Sequence, residues 1–522
     1  MALPIVLSVA VVVLAALRVG VDGTHVIGDG VALTPPMGWN SWNHFRCGLN
    51  EELIRSTADL LASSGLQKAG YVYVNLDDCW QHSRTPEGVI VQDETKFPNF
   101  TGMIAYIKSK GLMFGLYTDR GTYTCQHRPG SYSHEMIDAK TYAAWGVDYV
   151  KNDDCNVPKG GNADTDYGHM FEGIHASGRP MVHSVKGSEP IANAHNVSNM
   201  RRVGHDIGDN FGSMLSLVMQ GEKQNLSQYA HPGFWNDLDM LEIGNGGMTL
   251  EEYKTHMAFW CILKAPLLLG NDLTKMTADI LAILTNAEVL AINQDPMGVQ
   301  GKMVHQEFTN STKSPRDVVA VKCSSSVTQQ WVYDKTNMTI MNKGIGLCID
   351  CHQGRGQVMA MPCDGSSKQQ WVLDAGGEIH SQSASSKTCL DVYNYSGPVV
   401  QMFDCKDEKG KYGNQQFNVT TSGEIVPNVP GDLCLDLGEG TAQLYVFAGP
   451  LSGNAHAAML FSELDPSVSS KITAMWSDMG LDPTTAYIVR DLWENKDIGT
   501  FNGSFSAGVA GHSNVFVKLT PV

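Results

Sequence analysis

Between Pro36 and about Leu269 the chain alternates eight short β-rich runs with amphipathic helical periods, and this rhythm limits the fold more than any other feature. The runs cover 37–42, 71–76, 113–117, 148–151, 180–184, 202–205, 233–237 and 266–269. Helical segments such as 51–64, 103–109, 137–145 and 250–263 lie between them. A doubly wound sheet gives the same alternation. Eight repeats over about 250 residues match the size of a (β/α)8 TIM barrel, whose active site lies at the C-terminal ends of the strands. Those ends carry Asp77, Asp78, Asp119, Asp153, Asp154, Asp206, Asp237 and Asp239. Helix N-capping accounts for some of these carboxylates, but not for the Lys, Arg, Trp and Tyr residues that accompany them.

The segment Val147-Asp148-Tyr149-Val150-Lys151-Asn152-Asp153-Asp154-Cys155 carries the sharpest chemical signal. An apolar strand delivers Lys151 and Asp153 to one face, because side chains two apart in a strand point the same way. A carboxylate beside an ammonium stays ionised, as the nucleophile of a retaining glycosidase must be. A structural Lys–Asp pair at a strand end has the same appearance. Retaining hydrolysis needs a second carboxyl about 5–5.5 Å away, with a raised pKa, to act as acid and then base. Asp206 is the leading candidate, with Asp77, Asp237 and Asp239 as rivals. Asp77 and Asp78 suit bidentate recognition of sugar hydroxyls. Trp39, Trp42, Trp80, Tyr117 and Trp235 are candidate platforms for the ring, although any one Trp is more often core. No H-E-x-x-H, zinc-spaced Cys/His set, phosphate loop or G-x-S-x-G occurs, so no metal or cofactor is expected.

Net charge is −17 over 522 residues, which disfavours nucleic acid as a partner and places no penalty on neutral sugars. Residues 1–23 read as a cleaved secretory signal: the apolar run from Leu3 to Leu17 is too short to span a bilayer. Twelve Cys and the sequons at Asn99, Asn196, Asn225, Asn310, Asn337, Asn394, Asn418 and Asn502 fit an exported glycoprotein. The destination is the extracellular space or a lysosome- or vacuole-like compartment.

Composition shifts near Gln300. Gln329-Gln330-Trp331, Gln369-Gln370-Trp371 and Gln415-Gln416-Phe417 then recur at spacings of about 40 and 46. Cys348-Ile349-Asp350, Cys389-Leu390-Asp391 and Cys434-Leu435-Asp436 recur in step, which signals a repeat architecture. After about Leu444 short alternating strands return.

Several motifs, taken in order, resemble the α-galactosidases of glycoside hydrolase family 27. They are Met37-Gly38-Trp39-Asn40-Ser41-Trp42, Asn75-Leu76-Asp77-Asp78-Cys79-Trp80, Gly115-Leu116-Tyr117, Lys151-Asn152-Asp153-Asp154-Cys155 and Trp235-Asn236-Asp237-Leu238-Asp239-Met240-Leu241. Ala265-Pro266-Leu267, Asn271-Asp272-Leu273 and Asn293-Gln294-Asp295-Pro296 continue the match, which covers about 33–301 and 445–522. The resemblance implies a retaining exo-hydrolase of terminal α-D-galactosyl residues, with Asp153 as nucleophile and Asp206 as acid/base. It implies sugar contacts from Trp42, Asp77, Asp78, Tyr117, Lys151, Arg202, Asp239 and Met240, and disulfides Cys47–Cys79 and Cys125–Cys155. Substrates would be galactosylated oligosaccharides, glycoproteins or glycolipids, and a homodimer is one expectation for assembly. One segment departs from the family. A Cys-Glu-Trp motif that shapes the pocket around the sugar 2-position is replaced by His183-Ser184-Val185-Lys186-Gly187-Ser188-Glu189-Pro190. Glu189 is a candidate substitute from a shifted loop. α-N-acetylgalactosaminidase and β-L-arabinopyranosidase therefore stand as alternatives. So do a transglycosylase and a lectin on a decayed barrel.

The repeats at 305–443 resemble a ricin-type β-trefoil lectin. The implied organisation is a signal at 1–23, a barrel at 24–297, and a C-terminal antiparallel β-sandwich of 298–304 and 444–522 interrupted by a permuted trefoil. The trefoil's implied disulfides are Cys348–Cys363, Cys389–Cys405 and Cys323–Cys434, with Cys261 and Cys351 free. One repeat keeps the whole sugar-binding set, Asp391, Phe403, Asn414 and Gln415, for a second glycan. The others carry Met361 or Val321 where the ring belongs.

Overall fold

A computed structural model of the chain describes residues 30–187, 191–307, 316–351, 356–383, 388–406, 413–440 and 443–522. The signal at 1–23, Glu189 and the Asn310 sequon lie outside the described residues. The chain divides into two compact units, 1–300 and 301–522.

In the first unit eight parallel strands form one curled sheet in the order β8-β1-β2-β3-β4-β5-β6-β7. They are β1 (Met37–Asn40), β2 (Tyr73–Leu76), β3 (Met113–Asp119), β4 (Tyr149–Asp153), β5 (Val182–Val185), β6 (Met200–Arg202), β7 (Trp235–Asp237) and β8 (Leu267–Leu269). A parallel bridge between Leu241, just past β7, and Leu269 of β8 joins the two ends of the sheet. Both faces of such strands are covered, so they read as continuous apolar runs. Helices follow the strands and begin at side-chain caps. Asn50 accepts from Leu53 N, Asn210 from Ser213 N, and Thr249 forms a capping box with Glu252. The sequence predicts the sixth run at 202–205, whereas the strand is Met200–Arg202, and Val203 N makes a last bond to Asp237 O at 2.8 Å before the chain turns away. Gly204 and the flanking polar residues favour a turn over a strand there, so Asp206 lies on a loop beyond the strand end.

The second unit is antiparallel. Strand Lys302–Glu307 pairs with Leu444–Pro450, in a sheet that continues through His456–Ser462, Asn514–Pro521, Ala486–Asp491 and Lys496–Asn502. The pair Ser469–Met475 and Ser504–Ala510 contributes to the same core around Trp476. Between Glu307 and Leu444 the repeat region forms its own core, in which Trp331, Trp371 and Phe417 are all buried.

The repeated Gln and Trp have visible structural tasks. Gln329 donates to Lys322 O at 3.1 Å and accepts from Ser324 N at 2.8 Å, clamping the backbone on both sides of Cys323. Gln369 does the same around Cys363, and Gln415 around Cys405. Trp331 donates its indole N–H to Leu435 O at 2.9 Å, and Trp371 to Ile349 O at 2.8 Å, each the residue between the Cys and the Asp of a C-x-D motif. Phe417 has no N–H and fills the third position by packing alone. Five disulfides join Cys47–Cys79, Cys125–Cys155, Cys323–Cys434, Cys348–Cys363 and Cys389–Cys405. Cys261 and Cys351 are free and buried.

Candidate active site

The strand ends of the barrel open on a cavity of about 190 Å³. Its wall includes Trp42, Asp77, Asp78, Tyr117, Lys151, Asp153, Arg202, Asp206 and Asp239 from the sequence-predicted set. Met240 is buried beneath this layer and borders a small void shared with Lys151, Asp153 and Arg202. Trp39, Trp80 and Trp235 are fully buried and line neither cavity. Each gives its indole N–H to a backbone carbonyl, of Asn271, Tyr117 and Ala32 respectively, so they belong to the core and not to a sugar platform.

Asp153 ends β4 at the floor. Its Oδ2 accepts from Tyr117 OH at 2.9 Å and its Oδ1 from Asp154 N at 3.0 Å. Burial, reinforced by the Asp153 charge, drives the Tyr117 phenol well above its ordinary range, so it remains a donor. The predicted neighbour of Asp153, Lys151, points into the same cavity but forms its ion pair with Asp77, at 2.8 Å. Asp77 also accepts from Asn40 Nδ2 at 2.8 Å. Burial pulls the Lys151 ammonium down, and Asp77 and Asp153 more than reverse it, leaving the group firmly charged. Asp78 accepts from Thr124 Oγ1 at 2.9 Å and Gln126 N at 3.0 Å, which ties the β2 end to the Cys125 loop. Gly121 lets that loop press against the turn after β4, since a Cβ there would lie 1.9 Å from Cys155 O.

Across the cavity Arg202 is buried and bridges Asp239 Oδ2 at 2.8 Å and Asp206 Oδ1 at 3.0 Å. Asp239 holds a left-handed backbone, with φ 79°, as does Cys79 beside Asp78, with φ 78°. Such strain is held in place by surrounding contacts and concentrates at functional sites. For Asp239 the contacts are Ile207 N on its carboxylate and its own N–H on Asp237. Asp237 is buried, which raises it to about 6 against the pull of Arg202. The Asp206 side chain is 69% exposed at the rim. Burial raises its carboxyl, but Arg202 and then Lys186 outweigh this and hold it below the ordinary range. That is the reverse of the raised value expected for an acid/base, and Arg202 followed by Lys186 is the cause.

Lys186 is the cationic site residue that sequence reasoning missed. It follows β5 directly, and its Nζ lies 3.5 Å from Asp153 Oδ1 and 3.9 Å from Asp206 Oδ1. The Oδ1 atoms of the two carboxylates are thus separated by no more than the sum of those distances. A Lys immediately after an apolar run carries the same positional signal as Lys151 and Arg202, and it is the signal that points to Lys186. The three residues before it, His183, Ser184 and Val185, are buried. His183 bonds to Val197 O at 2.7 Å and burial lowers it to about 4.

In the repeat region Asp391 is buried and accepts from Asn414 Nδ2 at 2.8 Å and Gln415 Nε2 at 2.9 Å. Gln401, absent from the predicted set, donates to its other oxygen at 3.2 Å. Strand register pairs Asp391 with Gln401 and Cys389 with Phe403, which places all four on one face. Phe403 is half exposed there.

Residues 34–295 match the family profile described as alpha galactosidase A. Residues 441–519 match that of the alpha galactosidase C-terminal beta sandwich domain. Residues 300–399 and 375–454 match the ricin-type beta-trefoil lectin domain. The chain is 44% identical over 326 residues to alpha-galactosidase 3 of Arabidopsis thaliana, covering 59% of this chain and 74% of that one. It is 46% identical over 285 residues to an alpha-galactosidase of Oryza sativa subsp. japonica, covering 53% and 68%. The crystal structure of alpha-galactosidase I from Mortierella vinacea superposes with a TM-score of 0.64 at 26% identity, covering 94% of this chain and 98% of that one.

Proposed function

The chain belongs to the alpha galactosidase A family and is an α-galactosidase-type glycoside hydrolase, and from that premise we infer that Asp153 and Asp206 carry a retaining double displacement on terminal α-D-galactosides. An Asp153 oxygen attacks the anomeric carbon as the bond to the leaving oxygen breaks, and Asp206 gives that oxygen a proton. The product is a galactosyl ester on Asp153. Asp206 then takes a proton from water, the water oxygen bonds to the anomeric carbon, and Asp153 leaves as a carboxylate. Tyr117 steadies the Asp153 oxygen that regains charge. Asp77, Asp78, Lys151 and Arg202 offer both acceptors and donors to the sugar hydroxyls, and Trp42 borders the mouth.

The observation that supports this reading is the placement of both carboxylates on one cavity, within 3.5 and 3.9 Å of a shared ammonium. The test is turnover of an aryl α-galactoside by Asp153→Asn. A loss of at least about 10³-fold is expected, and near-full activity refutes the assignment. The wild type, run on aryl α-galactoside, α-N-acetylgalactosaminide and β-L-arabinopyranoside, decides specificity at the 2-position. The expected preference is for the first.

The second glycan site is assigned to Asp391, Phe403, Asn414 and Gln415, with Gln401 added. Hydrogen bonds among four of these and the exposed Phe403 ring support it. A glycan array with the full-length Asp153→Asn chain should show signal that Asp391→Ala removes, and equal signal in both refutes a working site. The organisation assigned to the chain is a barrel, then a sandwich interrupted at 305–443 by the trefoil. An exported or vacuole-like location is supported by the five disulfides. The seven described sequon asparagines are also all exposed.

A further inference from the structure

The other buried or half-buried cations on the cavity wall are tightly paired. Lys151 holds Asp77 at 2.8 Å, and Arg202 holds Asp239 at 2.8 Å and Asp206 at 3.0 Å. Lys186 differs. Its ammonium stands 3.5 Å from Asp153, 3.9 Å from Asp206 and 4.0 Å from Asp154, too far for a tight hydrogen bond to any one of them. It is a charge suspended among three carboxylates, two of which are read above as the reacting pair.

Of these three partners Asp206 is the most exposed. That carboxyl is on a loop, is mostly exposed, and has two cations within ion-pairing distance among the described residues, Arg202 and Lys186. Lys151 acts on it from further off, from β4. Asp153 and Asp239 supply the nearby negative charge. The adjacent His205 imidazole has both nitrogens engaged, by Asp206 O and by Ser216 Oγ, each at 3.0 Å.

We propose that Lys186 is a positioning residue that draws the exposed Asp206 carboxylate toward Asp153 and sets the pH above which Asp206 can no longer deliver its proton. The inference rests on the reading of Asp206 as the acid/base. A nearby cation favours the ionised carboxylate, so it makes the proton donor scarce at lower pH. The fall in kcat/KM on the alkaline side should therefore lie at acidic pH, and removing Lys186 should move it upward. One charge at 3.9 Å in largely aqueous surroundings corresponds to a shift of about one pH unit. Salt should shrink that shift.

The experiment is the pH profile of kcat/KM for the full chain on an aryl α-galactoside at low and high salt. Lys186→Met is expected to raise the alkaline limb by about one unit at low salt and less at high salt. Lys186→Arg, which keeps the charge, should hold the limb where the wild type has it. In the wild type alone, added salt should raise the limb, a readout that survives if the Met variant fails to fold. A folded Lys186→Met with an unmoved limb overturns the proposal, as does a salt-insensitive wild-type limb. Asp206→Asn on a substrate with a good leaving group separates the two failures. If the limb persists there, Asp206 is not the acid and the underlying reading falls. If it vanishes there but does not move in Lys186→Met, only the role of Lys186 falls.

Discussion

Removing the Lys151 ammonium by Lys151→Met tests how far the cavity wall depends on charge balance. Asp77 is 2% exposed and would lose its cation at 2.8 Å. At an effective dielectric constant near 20 that contact is worth about 6 kcal/mol of Coulomb energy, part of which only repays the desolvation of Lys151 itself. Breaking a buried pair by removing one partner costs about 3–5 kcal/mol. Asp77 keeps hydrogen bonds from Asn40 Nδ2 at 2.8 Å and Asp78 N at 2.9 Å, so the loss should fall at the lower end, about 3 kcal/mol. For a barrel of this size that is a fall of roughly 6 °C in the melting temperature at pH 7. An uncompensated buried carboxylate is driven toward its protonated form, so the deficit should shrink as pH falls toward 4. Thermal melts of wild type and variant across pH 4–7 read this directly. In parallel kcat/KM should fall about 10- to 100-fold through loss of one charged hydrogen bond to the sugar. A deficit that stays constant with pH, or is absent at pH 7, refutes the argument from uncompensated charge.

Further outcomes follow from other parts of the barrel. Asp237, Glu242 and Asp119 are buried and raised to about 6, 7 and 8, so the native state holds protons that the unfolded chain has released above about pH 4. Stability should thus fall as pH rises from about 4 through 8. The melting temperature at pH 5 should exceed that at pH 8, Asp119→Asn should flatten the upper part of the slope, and a melt that rises with pH contradicts this. Replacing Cys125 and Cys155 by Ser opens a crosslink across a separation of 30 residues, which should cost about 3–4 kcal/mol in denaturant melts. Because Cys125 Sγ lies 3.7 Å from Asp153 Oδ2, the same variant should lose about 10²-fold in kcat/KM, and unchanged kinetics would show that the clamp does not align the nucleophile.

The barrel was legible because its strands are buried on both faces and its helices begin at polar caps, two local signals that need no tertiary knowledge. The carboxylates were legible for the same reason, being polar residues at the ends of apolar runs. Their pairings were not. Sequence spacing places Lys151 beside Asp153, but the ammonium reaches across the barrel mouth to Asp77, a contact between β4 and β2 that only closure of the sheet creates. Lys186 was missed because its meaning depends on β5 lying next to β4 and near the Asp206 loop. Trp39, Trp80 and Trp235 look like Trp42 in sequence, and only their depth separates them. In the repeats the spacing of Gln, Trp and Cys was visible, but the clamp that each Gln closes around a Cys is a backbone contact with no sequence signature of its own.

Glu307 and Leu444 are direct partners in an antiparallel ladder, so the chain leaves and rejoins the sandwich at one point. Deleting the 136 residues between them, 308–443, and substituting a tight two-residue turn would convert the pair into an ordinary β-hairpin, losing the backbone hydrogen bonds that Gln443 makes with Glu307 and Glu463. The repeat region is therefore an insert whose entry and exit are adjacent positions of one ladder. Acting through the glycan site proposed at Asp391, the insert would hold the hydrolase near a glycan-bearing surface and raise the local concentration of galactosides there.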